Sequence, residues 1–336
     1  MRKRADQRWL KIILGVLVTV ITVWLSFRKL DWHTVKTAFF QVNLFWVFLA
    51  VANSLLTVYA LGWRWRILLA PKVNISMGQL FKLNIISQYV NILMPARLGE
   101  VIRAYLTSKE HLISGAYVMG TILIEKIFDV FVYISLWIFI PFVFARNETF
   151  RGYNLSLVFC LLSLGFLAIF MLRPNLLLKG CKRFSILLPR KFRERFNNFF
   201  ERSIEAFGSL KSVKTLLSLL SWTLVFLMGQ TLTIYFLFKA FNFSLSFWAA
   251  LFVLLVRQIG NIPPSTPGKV GIFEFAVILA LSVFAVSKSQ ALSYAVILHA
   301  VAYLPKILLG LFFVTHMDIY PEKIYSDTDY ENQQSL

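Results

Sequence analysis

Acidic residues are scarce in this chain: 16 Asp and Glu stand against 35 Lys and Arg, a formal net charge of +19. Charge of either sign makes up only 15% of the sequence, whereas 58% is hydrophobic. Long polar intervals, which a soluble chain of this length would show, are missing, and apolar windows long enough for a helix to cross a bilayer recur throughout. Cysteine is nearly absent. Cys160 sits in an apolar run and Cys181 in a basic stretch, so neither a disulfide framework nor metal-ligand spacing is available. The four histidines make no HExxH pattern, and no Walker glycine loop occurs. Neither metal nor cofactor is expected. The apolar runs are continuous, not alternating, which excludes a β-barrel. What remains is an all-α, polytopic membrane helix bundle.

The basic excess invites a nucleic-acid reading, but its placement opposes one. Arg173–Lys214 carries 11 Lys and Arg against three Glu, the pattern of a cytoplasmic loop. Such charge orients the chain and suits anionic headgroups, so membrane lipids are the expected partners and nucleic acid is not. Six full spans follow from the apolar runs: Trp9–Phe27, Leu44–Gly62, Ala116–Phe144, Leu155–Leu172, Thr215–Phe238 and Ala291–His316. The first follows MRKRADQRWLK without a small-residue cleavage site and reads as a retained span. This topology puts the protein in the cell (inner) membrane with both termini cytoplasmic. Residues 1–316 form one membrane domain, and 317–336 a polar tail. Arg28–Asn43 is read as a short external segment, and Trp63-Arg-Trp-Arg66 as headgroup anchors. Phe192, Phe196, Phe199, Phe200, Ile204 and Phe207 share one helical face opposite Arg193, Arg195 and Arg202. That pattern predicts a helix in the membrane interface or one packed on its own bundle.

Two stretches interrupt this apolar order. Between Phe247–Ile262 and Val270–Ser287 lies Asn261-Ile-Pro-Pro-Ser-Thr-Pro-Gly-Lys-Val-Gly-Ile-Phe-Glu274. Pro263, Pro264, Pro267, Gly268 and Gly271 cannot continue a helix, and in lipid an unwound backbone survives only against protein or a water-filled cavity. Earlier, Leu80–Met94 bears Asn84, Gln88 and Asn91, runs into Pro95-Ala-Arg-Leu-Gly-Glu100, and returns through Val101–Ser108 with Arg103. Pro95-Ala-Arg-Leu-Gly99 matches Pro267-Gly-Lys-Val-Gly271 in residue type at every position. Each motif precedes a long span with charge in it. We therefore expect two broken or re-entrant helix pairs, related as an inverted repeat.

Ionisable groups inside a bilayer mark functional positions. Glu125, Lys126 and Asp129 lie mid-span, with Glu125 and Asp129 on one helical face; they suit partner exchange, cation binding, holding a proton or a static ion-pair network. Arg97, Arg103, Arg257 and Lys269 gather near the breaks, where with the free backbone N–H groups of half-helices they suit a phosphate. Snorkelling to the interface is the competing account, fitting Arg103 best and Arg257 least. Asn261 adds an amide at the second break. On the last span His299, Tyr303 and Lys306 share a face loosened by Pro305, and His299 is placed either to relay protons or to pack. Glu100 and Glu274 are conceivable general bases, or partners for the nearby cations. No nucleophile–base pair can be assembled.

At these residues the chain resembles the lysylphosphatidylglycerol synthase transmembrane-region family, also described as flippase-like domains. The resemblance rests on Pro95-Ala-Arg-Leu-Gly-Glu100, Ile124-Glu-Lys-Ile-Phe-Asp129, Pro263–Glu274 and Leu304-Pro-Lys-Ile-Leu-Leu-Gly310, in that order. Two departures stand out. The family pattern usually has arginine where Lys126 stands, and arginine where His299 stands. The resemblance implies that the soluble aminoacyl-transferase domain of two-domain members does not follow residue 316.

The expected function is a lipid translocase moving an amphiphile with a polar, phosphate-containing head, anionic or lipid-linked, between leaflets. Arg97, Arg257 and Lys269 would hold the head, while Glu125, Lys126 and Asp129 exchange partners. Two alternatives stand beside it: a membrane-embedded transferase on a lipid-linked donor with Glu100 or Glu274 as base, and a non-catalytic partner of an envelope-lipid enzyme.

Overall fold

The computed structural model of the chain describes residues 21–26, 31–94, 97–144, 183, 185, 190–260 and 267–316. Among these the chain is helical, and no strand occurs. The helices are α1 (Trp32–Phe40), α2 (Leu44–Leu69), α3 (Met77–Leu93), α4 (Leu98–His111), α5 (Gly115–Val143), α6 (Arg190–Glu205), α7 (Val213–Ala240), α8 (Phe247–Gly260), α9 (Ile272–Ser282) and α10 (Lys288–Thr315). Starts follow short polar caps. Asn43 accepts from the Phe45 amide at 3.0 Å, and Asp31 from that of His33 at 3.0 Å. Ser76 and Ser287 cap α3 and α10 in the same way.

By length and hydropathy α2, α7 and α10 are each able to cross a membrane. The 29-residue α5 is as long, but Glu125, Lys126 and Asp129 interrupt its apolar run. Large apolar side chains such as Leu56, Leu217, Met228, Leu308 and Phe312 point outward, as lipid contact requires. The expected spans Trp9–Phe27, for all but its last few residues, and Leu155–Leu172 lie outside the described residues, as do Pro95, Asn261, Pro263 and Pro264.

The packing defines two ends, called upper where α2 begins and lower where it finishes. At the upper end the Asn43 amide donates to Ala240 O at 3.0 Å, and Tyr294 packs among Phe238, Phe241 and Phe243. At the lower end Trp65, Leu68, Leu80, Tyr117, Phe207 and Leu219 share one buried cluster. Between the ends α2 and α7 run antiparallel and close. Asn53 Nδ2 donates to Gly229 O at 2.7 Å and to Thr233 Oγ1 at 2.8 Å. A Cβ on Gly229 would lie 2.5 Å from Thr57 Cγ2, so glycine permits the approach.

Against this pair lie two helical hairpins. Helix α3 starts at the lower end and α4 returns there, their base closed by Gln79 Nε2 and Glu110 Oε2 at 2.9 Å. Helix α8 starts at the upper end and α9 returns there, with Phe252 and Phe284 5.6 Å apart. The tips meet in the middle, where α3 packs against the turn Pro267–Lys269. Each hairpin lies between two long helices: α2, α3–α4, α5 in the first half and α7, α8–α9, α10 in the second, every element running oppositely to its counterpart. This is the expected inverted arrangement, and the backbone repeats with it. Arg97 and Lys269, the matched third residues of the two motifs, both adopt the left-handed conformation, at φ 55° and 56°. Non-glycine residues seldom occupy it. Within the second motif Gly268 and Gly271 take φ 73° and 86°.

Several boundaries differ from those expected. The segment Arg28–Asn43 contains α1, whose Val35 carbonyl accepts from Ser293 Oγ at 3.3 Å. Helix α2 does not stop at Gly62 but runs to Leu69, which carries Arg64 and Trp65 into the bundle with 1% and 0% of their surface exposed. Trp63 is 39% exposed and stacks on Trp222 at 5.6 Å. The arms of the second hairpin are shorter than the apolar runs around them. Helix α6 ends against α5, where a Cβ on Gly120 would lie 2.1 Å from Ser203 O. Phe199 is exposed and Phe207 buried, while the side chains of Phe192, Phe196 and Ile204 lie outside those described. Pro305 does not break α10. It removes the amide that would bond Val301 O, and Ser54 Oγ takes that carbonyl at 3.4 Å.

Candidate functional site

Two polar centres lie between the upper and lower apolar clusters. The first joins α2, α3, α4 and α5. Arg64 Nε lies 3.4 Å from Glu125 Oε1, and its Nη atoms grip both oxygens of Asp129. Arg103 Nη2 binds Glu125 Oε2, Nη1 donates to Asn84 Oδ1 at 2.5 Å, and the guanidinium lies 4.0 Å over the Trp65 ring. Trp65 Nε1 donates to Thr121 Oγ1 at 3.0 Å. Lys126 turns away from Glu125 and Asp129 and pairs with Glu100 at 2.9 Å. Three cations therefore face three carboxylates.

This corrects two expectations. Arg103 does not snorkel: it is 2% exposed and tied to Glu125. Glu125, Lys126 and Asp129 do not form one cluster, because successive residues on a helix point some 100° apart. Arg64, the residue that organises the centre, was read as a headgroup anchor. Its signal was the unbroken helical run past Gly62, which puts residue 64 inside the bundle.

The second centre joins α2, α3, α7, α8 and α10 around a cavity of about 120 Å³. Ser54, Thr57, Gln88, Gln230, Thr233, Arg257 and Lys306 supply its polar lining. Arg257 Nη2 donates to Gln230 Oε1 at 3.0 Å, and its buried Nε has no partner among the described residues. No described carboxylate pairs with Arg257 or Lys306. At the hairpin tips Lys269 lies within electrostatic reach of Arg97 and Arg257, so the cations of both breaks converge. Gln230 was missed in the sequence. A lone amide in an apolar span was the available signal.

Glu274 borders this centre but does not neutralise it. Its Oε1 meets His299 Nδ1 at 2.5 Å, and its Oε2 accepts the Gly271 amide at 2.7 Å. His299 stacks on Phe273 at 4.4 Å and meets Tyr303 edge-on at 4.5 Å. Arg257 lies 5.7 Å from the same Phe273 ring. The half-helix amides expected for a phosphate are partly taken: Asn91 Oδ1 accepts that of Gly99 at 2.8 Å, as Glu274 accepts that of Gly271. The anion-seeking groups are thus side chains. The two centres touch through α5, where Tyr133 OH accepts from Gln258 Nε2 at 2.5 Å, one turn from Asp129. Among the described residues no group of three His, Cys, Asp or Glu is placed to hold a metal ion.

Long apolar helices, opposed half-length hairpins and a polar interior define a polytopic helical membrane protein with a buried polar site. Residues 12–310 match the family described as the lysylphosphatidylglycerol synthase TM region, and the chain belongs to that family. It is also 28% identical over 244 residues to a UPF0104 membrane protein of Methanocaldococcus jannaschii, covering 70% of this chain and 97% of the relative. No solved structure matches.

Proposed function

We propose that this protein is a lipid translocase that moves an amphiphile with an anionic, phosphate-containing head between leaflets. The observation that carries the reading is the uncompensated charge of the second centre. Among the described residues Arg257 and Lys306 face a cavity without a paired carboxylate, and Arg97 and Lys269 add to the field. Burying such charge in a low-dielectric interior is costly unless an anion occupies the space. The volume of about 120 Å³ corresponds to roughly four water molecules, enough for a phosphate but not for a whole headgroup with its chains. Opposed hairpins meeting at that site supply the two routes that alternating access needs.

The first centre supplies the frame, with its three cations matched by three carboxylates. The transferase reading is weaker because both candidate bases are engaged, Glu100 by Lys126 and Glu274 by His299. A solid scaffold would not require the cavity.

The test is reconstitution into vesicles with fluorescent anionic and zwitterionic lipids, scoring leaflet exchange. Exchange of the anionic lipid should fall in Arg257→Gln and Lys306→Gln with abundance unchanged. Full exchange in the double variant would overturn the reading.

A further inference from the structure

Beside the cationic cavity lies a carboxylate–imidazole pair. Glu274 on α9 and His299 on α10 are largely buried and 2.5 Å apart, joining the returning arm of the second hairpin to the closing helix. The first half makes the corresponding tie with Arg103 and Glu125, whose guanidinium never loses its proton. In the second half the acid sits on the arm and an imidazole on the helix. Histidine is the side chain that gains and loses charge around neutral pH.

The groups around this pair give the proton a thermodynamic partner. Glu274 is the one carboxylate that α9 presents to His299. Helix α8 brings Arg257 to the Phe273 ring on which His299 stacks, and Lys269 lies in the adjoining turn. From α10 itself come Tyr303, in contact with His299, and Lys306, two turns on. Helices α2, α3 and α7 present only neutral groups to the cavity, among them Ser54, Gln88 and Gln230. Among these described residues, the charged neighbours other than Glu274 are cations. With the cavity empty their field opposes a proton on His299; an anion lodged at Arg257 and Lys306 removes that opposition. Anion and proton therefore favour each other, each raising the other's affinity by the same factor.

We infer that the Glu274–His299 pair takes up a proton from water as the anionic head enters, and releases it as the head leaves, so that lipid movement is coupled to proton movement. The inference rests on the translocase reading and adds its source of energy. The proton comes from the aqueous side that loads the lipid and is returned on the side that receives it.

The test needs no transport. The detergent-solubilised full chain is titrated with dihexanoyl phosphatidylglycerol, whose phosphodiester does not titrate near neutrality. Isothermal calorimetry in buffers of different ionisation enthalpy then counts the protons bound. Wild type should take up a measurable fraction of a proton, up to one per lipid, near neutral pH, as linkage to this pair predicts. His299→Arg, which keeps a donor to Glu274, and His299→Gln, which keeps a neutral one, should lose that uptake whatever their affinity. Binding without proton uptake in wild type overturns the coupling and leaves the translocase standing. Uptake that persists in both variants overturns the assignment to this pair. No binding of the lipid overturns the anion site and the coupling together.

Discussion

The two polar centres bury similar groups at similar depth and treat them in opposite ways. In the first, Arg64, Arg103 and Lys126 are matched by Glu100, Glu125 and Asp129, with Asn84 on a remaining donor. In the second, Arg257 and Lys306 share amides and hydroxyls around open space, and the nearby carboxylate is held by His299. The difference teaches where to look for function in a charged membrane interior. Matched charge with good geometry locks helices together. Unmatched charge beside a cavity is where a ligand of the other sign gains most from binding.

The comparison breaks most sharply at Glu125. Glu125→Ala strips a partner from both Arg64 and Arg103 and leaves buried guanidinium charge, a loss of about 3–5 kcal/mol. Thermal unfolding in detergent should show a large fall, with little folded protein recovered. Removing charge from the second centre should do the reverse. Arg257→Gln and Lys306→Gln should melt at or above the wild-type temperature, while anionic-lipid exchange falls about tenfold, equivalent to ~1.4 kcal/mol. A matching fall in stability would erase the distinction between the centres.

A ligand sharpens the contrast further. A phosphate-headed lipid of net negative charge, at 100 times its Kd, should stabilise wild type by about 2.7 kcal/mol, and the Arg257→Gln, Lys306→Gln double variant hardly at all. A zwitterionic lipid should stabilise neither. The smallest effect belongs to Lys126, which is 39% exposed at the margin of the first centre. Lys126→Gln should cost no more than about 1 kcal/mol and leave exchange intact, read by the same melting and vesicle assays.

Much of this architecture was legible because lipid allows few options. Apolar length marked the spans that fall among the described residues, and Pro95–Gly99 with Pro267–Gly271 marked the hairpin tips, down to the matched Arg97 and Lys269. Most charged residues of both centres could be placed along the chain, though Gln230 was missed. Their partners could not, because helical periodicity gives the face a side chain occupies but not which helix lies opposite. Lys126 was therefore grouped with Asp129, where the structure gives it Glu100. Arg64 was misplaced for a different reason: an aromatic–arginine run looks the same at a helix end and inside a helix that continues to Leu69. The cavity depends on side chains from five helices, and nothing local in any of them announces it.

The arms of the hairpins carry a consequence for voltage. Helix α3 has 17 residues and α8 has 14, so at 1.5 Å per residue they reach about 25 Å and 21 Å. Together they exceed a hydrocarbon layer of about 30 Å, so tips entering from opposite faces must pass each other instead of meeting end to end. The two turns then lie past each other inside the insulating layer, each short of the far face. A charge lodged there has already crossed part of the transmembrane field. Since each elementary charge carried fully across feels about 2.3 kcal/mol per 100 mV, an anionic head moving alone would be driven or held back by the membrane potential. One moving with a compensating proton would cross without feeling it.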